Sequence, residues 1–239
     1  DLDLKQQGVI EDFQLLFYII QPPTPERVKY DIFDRVNRGG TPLNKQEMRN
    51  ALYRGRCTRM LDKLCCSPEF LIATGRSINK ERMKDQYVVL RAMAFLMLHR
   101  GEFKDIPALQ YRGDIDDFLA RFMVYVNDNA PEKLIVDYEN LFIRCMQISY
   151  DLLGENGFRF SGNGIRRPIN MPLFEALSYL FSFVPEKIDY TWASRLILDI
   201  ESVKEEFDGS RYFSGNIDST TSVSFRFDRM DKIINRIQL

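Results

Sequence analysis

Residues 134–152 read LIVDYENLFIRCMQISYDL, and within them Leu134, Tyr138, Leu141, Cys145, Ile148 and Leu152 recur every three or four positions. That period is the repeat of an α-helix, and it leaves Lys133, Asp137, Arg144 and Asp151 for the solvent face. The same spacing returns in Met83, Tyr87, Leu90, Ala94 and Met97; in Phe174, Leu177 and Phe181; in Trp192, Leu196, Ile200, Val203 and Phe207; and in Val223, Phe227, Met230, Ile234 and Ile237. Five amphipathic helices each need a partner face, so the spacing predicts a helical bundle. A shorter helix over 116–127 joins them. Turn chemistry at Arg112-Gly113-Asp114, over 154–164 and at Asp208-Gly209-Ser210 separates them.

Toward the N-terminus the pattern changes. Residues 13–20, FQLLFYII, are rich in aromatic and aliphatic side chains and closed by Gln21-Pro22-Pro23, which predicts a buried strand, with a helix as the alternative. Thr24-Pro25 then supplies a cap followed by proline at the first helical position, and Val28, Ile32 and Val36 keep helical spacing until Gly39 and Gly40. Asn44 and Glu47, three apart, form a variant of the capping box and open a second helix that runs through about Tyr53. The expected fold is mainly α: a helical bundle preceded by a short strand-helix element, with a boundary in 55–66 where strand signals stop.

Composition narrows the function. Of 239 residues, 45% are hydrophobic and 28% charged, which excludes intrinsic disorder as the main state. A net charge of −1 gives no global field to gather nucleic acid or an acidic membrane, so any anion site must be local. The apolar stretches 13–20 and 87–98 are shorter than the roughly 18 to 20 residues a membrane span needs, and Arg91 interrupts the second. Cys57, Cys65, Cys66 and Cys145 form no Cys-x-x-Cys pair, and with a single His no zinc site of ordinary spacing can be assembled. Buried, reduced thiols in a cytoplasmic protein are expected. The first residues are acidic and polar where a secretory signal would be basic and then apolar.

Residues 35–59 carry Arg35, Arg38, Lys45, Arg49, Arg54, Arg56 and Arg59 against one acid, Glu47. They surround Gly39-Gly40-Thr41 and the start of the Asn44-capped helix, where open backbone N–H groups and the helix dipole favour an anion. Guanidinium groups bind phosphate in a bidentate manner, so the pattern predicts a local phosphate site. The alternative is that the glycines only end a helix, and that the Arg residues are solvated or paired with acids elsewhere. Ser161-Gly162-Asn163-Gly164 with Arg166 and Arg167 is a second candidate, against a plain flexible loop; neither a P-loop nor Gly-x-Gly-x-x-Gly occurs. His99, before Arg100-Gly101, reads as a cation near a helix C-terminus. Asp116-Asp117 and Glu205-Glu206 read as solvated acids, because adjacent residues point apart on a helix. Glu47 reads as a cap and not as an acid catalyst.

The stretch Phe33-Asp34-Arg35-Val36-Asn37-Arg38-Gly39-Gly40-Thr41-Pro42-Leu43-Asn44-Lys45-Gln46-Glu47-Met48-Arg49-Asn50-Ala51 resembles the signature segment of the GmrSD restriction-endonuclease N-terminal family. Phe33, Arg35, Val36, Asn37, Gly39, Gly40, Leu43, Glu47 and Arg49 match it in register. Residues 85–91, Arg167-Pro168-Ile169-Asn170 and Phe174-Glu175-Ala176 are similar to later family segments. The resemblance implies a ParB/sulfiredoxin-like nucleotide-handling domain, of which residues 1–56 are the closing part, followed by a helical domain over 57–239.

It further implies phage defence through NTP-dependent recognition or cleavage of modified DNA. Asn37, Gly39, Gly40, Thr41 and Asn44 would line the site, and Arg35, Arg38 and Arg49 would neutralise phosphate. NTP with Mg2+ would be the cofactor of the full-length protein, with none held in this chain. DNA, NTP, and an upstream segment or another subunit are the implied partners. The family's Asp-Gly-Gln-Gln-Arg motif is absent, since Asp208-Gly209-Ser210-Arg211 neither matches nor stands in place, and no catalytic residue is assigned. A match starting mid-family in a chain without an initial Met predicts the downstream part of a longer protein, inactive alone. The competing expectation is a non-catalytic helical protein-interaction module with an architectural Gly-Gly turn. On the first expectation, Arg38→Ala and Arg49→Ala weaken ligand binding and leave the melting temperature nearly unchanged.

Overall fold

The computed structural model describes residues 2–14, 17, 19, 21, 24, 26–37, 42–162 and 165–237. The chain divides into two compact units, Asp1–Pro42 and Leu43–Leu239. In the first unit, helix α1 (Leu4–Glu11) begins at Asp3, whose carboxylate accepts the Gln6 N–H while the Gln6 carboxamide accepts the Asp3 N–H. Helix α2 (Glu26–Asn37) occupies the segment that helical spacing marked.

The strand expected over 13–20 is not found where it can be judged. Phe13, Gln14, Phe17 and Ile19 have no strand assignment, and Phe13, Phe17 and Ile19 stand 68%, 75% and 80% exposed. Leu15, Leu16, Tyr18 and Ile20 lie outside the described residues. A strand needs a ladder partner, and every regular element among the described residues is helical.

The second unit holds α3 (Lys45–Leu52), α4 (Arg56–Cys65), α5 (Pro68–Ala73), α6 (Lys84–His99), α7 (Ile115–Asp128), α8 (Glu132–Leu153), α9 (Met171–Phe181), α10 (Tyr190–Phe207) and α11 (Thr220–Ile237). Its centre is α6 packed on α9. Residues 88–97 of α6 and 172–181 of α9 are buried without a break, so these two helices are enclosed all round rather than on one face as their spacing suggested. Helices α4 and α7 pack against α6, α11 against α9, and α8 against both α5 and α9.

Helix α8 is amphipathic, but its buried stripe is Ile135, Tyr138, Phe142, Cys145, Met146 and Ser149. The row of Leu134, Leu141 and Ile148 lies half-buried at its edge. Packing on two neighbours broadens the buried face, and periodicity alone does not say which adjacent row sits at its middle.

The sequence boundary at 56 falls where α4 starts, whereas the compact units part after Pro42. Helix α3 belongs with the bundle because Gln46, Met48 and Arg49 are buried in it. The turn from α3 to α4 is latched by Asn127 of α7: its Oδ1 accepts the Cys57 N–H at 2.9 Å and its Nδ2 donates to the Tyr53 carbonyl at 2.9 Å. A Cβ on Gly55 would lie 2.5 Å from that Oδ1, so only glycine permits the approach. No helix among the described residues is long and apolar enough to cross a membrane.

Candidate functional site

Helix α3 opens on the Asn44 cap. The Asn44 Oδ1 accepts the N–H groups of Gln46 and Glu47, at 2.8 and 2.9 Å, and its Nδ2 donates to the Arg82 carbonyl at 2.7 Å. Glu47 reaches back to accept the Asn44 N–H at 2.6 Å and pairs with Arg82 at 3.0 Å. The capping box is complete, as the Asn44/Glu47 spacing predicts. Its consequence for anion binding is adverse: two amides expected to face a phosphate are taken by Asn44, and a carboxylate stands beside them. The Arg82 guanidinium and the Asn44 N–H hold the Glu47 carboxyl below its ordinary pKa, so it is a charged cap at neutral pH.

Arg49 is 1% exposed. Its Nη1 donates to Asp116 at 2.8 Å and its Nε to the Gln46 carboxamide at 3.1 Å, while the guanidinium lies 5.3 Å from the Tyr87 ring centre. Lys45 joins Asp116 from solvent. Asp116 is therefore the anchor of α3 on α7, not the solvated acid its neighbour Asp117 suggested. Burial pushes its carboxyl up, but Lys45 and Arg49 outweigh that and hold it below the usual range. Arg56 is likewise committed, to the Ala130 carbonyl and to Glu132 at 2.8 Å.

Of the other site residues, Arg35 is exposed in the last turn of α2 and belongs to the first unit, as does Asn37 at the end of that helix. Asn44 and Arg49 belong to the second unit. Arg38, Gly39, Gly40 and Thr41 lie outside the described residues. Arg54 and Arg59 are exposed. The basic cluster of 35–59 thus separates into structural cations, Arg49 and Arg56, and outward ones, Arg35, Arg54 and Arg59.

Two further charged assemblies escaped the sequence reading. In the core, Glu175 of α9 receives Arg91 of α6 and, at 3.2 Å, Arg226 of α11; Arg91 also donates to Asp218 at 2.6 Å. The legible hint was a charge inside an apolar run, Arg91 within 87–98 and Glu175 between Phe174 and Ala176. At the surface, Ser161, Gly162, Arg166 and Arg167, the second candidate, line a cleft of about 650 Å3 together with Arg159 and Lys204. Asn163 and Gly164 lie outside the described residues.

His99 is not the helix-end cation that its position suggested. Its ring stacks on Phe227 with centres 3.6 Å apart, and burial followed by the nearby Arg226 lowers its pKa to about 3, so it is neutral at pH 7. Cys57, Cys65 and Cys145 are buried and Cys66 is exposed; all four are free thiols. Burial pushes the three buried thiols up and makes them poor nucleophiles. Among the described residues no group of three or more His, Cys, Asp or Glu could hold a metal ion.

Comparison with protein-family models, with curated proteins and with solved structures gives no match.

Proposed function

We propose that this chain is the ligand-holding portion of a restriction-type, phage-defence protein, engaging the phosphates of a nucleoside triphosphate or of DNA through the segment from Arg35 to Thr41. No catalytic residue is assigned on this reading, because the Asp-Gly-Gln-Gln-Arg motif does not occur in this chain; Mg2+ would accompany NTP. One observation carries the reading. Arg35, in the family-like segment, is exposed in the last turn of α2, whereas Glu47 and Arg49 of the same segment are committed to the cap of α3 and to Asp116. Free, reduced thiols fit a cytoplasmic setting.

The test is fluorescence anisotropy with a labelled DNA duplex, and separately with labelled ATP and Mg2+, on the chain and on Arg35→Ala/Arg38→Ala. Binding at low salt that falls steeply at moderate salt and is lost in the double variant supports the reading. Absence of binding to either probe at low salt overturns it.

A second reading, a non-catalytic module that docks another protein subunit, is favoured by the exposure of Phe13, Phe17 and Ile19. Light scattering separates it from the first: self-association that Phe13→Ser/Phe17→Ser abolishes supports docking between copies of the chain.

A further inference from the structure

The connection between α8 and α9 begins at the break after Leu153, where Gly154–Asn156 packs on α5 and the Asn156 carbonyl accepts from Lys204 of α10. Arg159, in this connection, is 4% exposed. Its Nε donates to the Glu155 carbonyl at 3.2 Å, its Nη1 to the Arg167 carbonyl, and its Nη2 to the Thr74 carbonyl at 3.1 Å and to the Ser77 hydroxyl. Every one of these acceptors is neutral. Among the described residues no carboxylate pairs with Arg159; the nearby Glu155 carboxylate is bound by Arg166 at 2.7 Å. Burial, followed by the repulsion of Arg166, lowers the Arg159 pKa from its ordinary value, and the attraction of the Glu155 carboxylate only partly offsets them.

Lys204 of α10 is 5% exposed at the same cleft, donating to Glu201 at 2.8 Å and to the Asn156 carbonyl at 3.4 Å. Arg166 and Arg167 stand at the rim in partly exposed pairs with Glu155 and Asp208. Exposed pairs of this kind contribute little to stability and exchange readily for a better anion. Gly75, at φ +58°, makes room for the rim: a Cβ there would lie 2.1 Å from the Arg166 Nη2. Two buried cations below and two exchangeable ones above therefore line an open cleft whose volume, about 650 Å3, is that of a small-ligand site.

We infer that this cleft is a binding site for a phosphorylated small molecule of about mononucleotide size, with Arg159 and Lys204 fixing the phosphate charge and Arg166 and Arg167 closing over it. An anion there meets the buried charge of Arg159, whose own acceptors are all neutral, and the partly exposed guanidinium groups of Arg166 and Arg167 can pair with phosphate in the charge-assisted, bidentate manner. The inference does not rest on the role of the segment around Gly39.

The experiment titrates inorganic pyrophosphate and ATP into the full chain at low ionic strength by calorimetry, with Arg166→Glu and Lys204→Gln as variants and thermal melting as the check on folding. Saturable binding that persists in the Arg35→Ala/Arg38→Ala background, with its Kd raised about tenfold or more when Arg166→Glu or Lys204→Gln is added at unchanged melting temperature, is the expected result. Arg35→Ala should leave this binding intact. Absence of binding, binding lost in Arg35→Ala but kept in Arg166→Glu, or binding of an oligonucleotide where pyrophosphate and ATP do not bind would each overturn the assignment. Should a variant melt early, hydrogen exchange on the wild-type chain decides: pyrophosphate must protect residues 155–162 and 165–167, and no protection there rejects the site.

Discussion

Arg49 and Asp116 are 67 positions apart in the chain and joined by a 2.8 Å hydrogen bond from Nη1 to Oδ1. The guanidinium is sealed from water, while the carboxylate keeps an outer edge that Lys45 covers. An arginine so placed holds two helices together, because any movement of α3 off α7 would strand a charge in the interior.

Arg49→Ala should therefore destabilise the protein by about 3 kcal/mol, the cost typical of breaking one side of a buried pair, and lower the melting temperature by several degrees. Arg35→Ala, on an exposed position of α2, should leave the melting temperature within error. Differential scanning calorimetry on the two variants checks this. The expectation from the family-like motif alone was the reverse for Arg49, a binding residue removable without loss of stability. A variant that melts with the wild type would restore that expectation.

Glu175 accepts from Arg91 and Arg226 at once, in the middle of the α6, α9 and α11 packing. Glu175→Gln keeps the volume but removes the anion, leaving Asp218 as the remaining carboxylate bonded in this cluster for two guanidinium groups. The expected loss is about 3 to 5 kcal/mol, read as a lower urea midpoint at unchanged slope. A loss below about 1 kcal/mol would mean that Arg226, which also donates to the Ile217 and Tyr212 carbonyls, is satisfied by them alone.

Much of this architecture was legible in the spacing of apolar residues. Helices α2, α3, α6, α7, α8, α9, α10 and α11 lie where periodicity or capping residues put them, and the Asn44/Glu47 box is built as its spacing requires. What periodicity could not convey is rank. Helices α6 and α9 carry the same three-and-four spacing as their neighbours, yet their intervening positions, such as Val89, Ala92, Ala176 and Leu180, are apolar or small as well, which makes them central. Helix α4, whose Cys57, Met60, Leu61, Leu64 and Cys65 form a clear buried stripe, was passed over as a boundary because a change of pattern was expected there.

The site was less legible for a different reason. A sequence shows that Arg49 and Arg35 are both basic and both in the motif; only the fold shows that Asp116, far along the chain, claims one of them. Arg159 stood in no periodic row and no motif, so its burial without a carboxylate had no trace in the sequence.

The thiols offer a direct probe of the core. Cys66 is exposed at the end of α4 while Cys57, Cys65 and Cys145 are buried with their thiols pushed up. A chromogenic disulfide reagent should label one thiol in the native protein and four after denaturation, since the thiolate and not the thiol reacts. Rapid labelling of more than one native thiol would show that α4 or α8 opens under native conditions. Cys66→Ser should abolish native labelling with little change in stability.

His99 should make the protein sensitive to mild acid. Folded, its pKa is about 3; unfolded, it returns to about 6.5. Between these values the unfolded chain binds a proton that the folded chain refuses, so stability falls as pH drops below about 6.5, with a slope approaching 1.4 kcal/mol per pH unit, roughly the value for one proton. Above about 6.5 both states are neutral at this residue and it contributes no pH dependence. Arg226, Tyr179 and Phe227 surround the ring; the first opposes its charge, and the stacked Phe227 gives it no hydrogen-bond acceptor. His99→Phe preserves an aromatic ring for the Phe227 stack and deletes the proton. Urea melts at pH 7 and pH 5 should then show a smaller stability loss on acidification for His99→Phe than for the wild type, by about 2 kcal/mol. Carboxylate titration is common to both proteins and cancels in that difference, so equal losses would mean that the imidazole is protonated in place, in contact with Arg226.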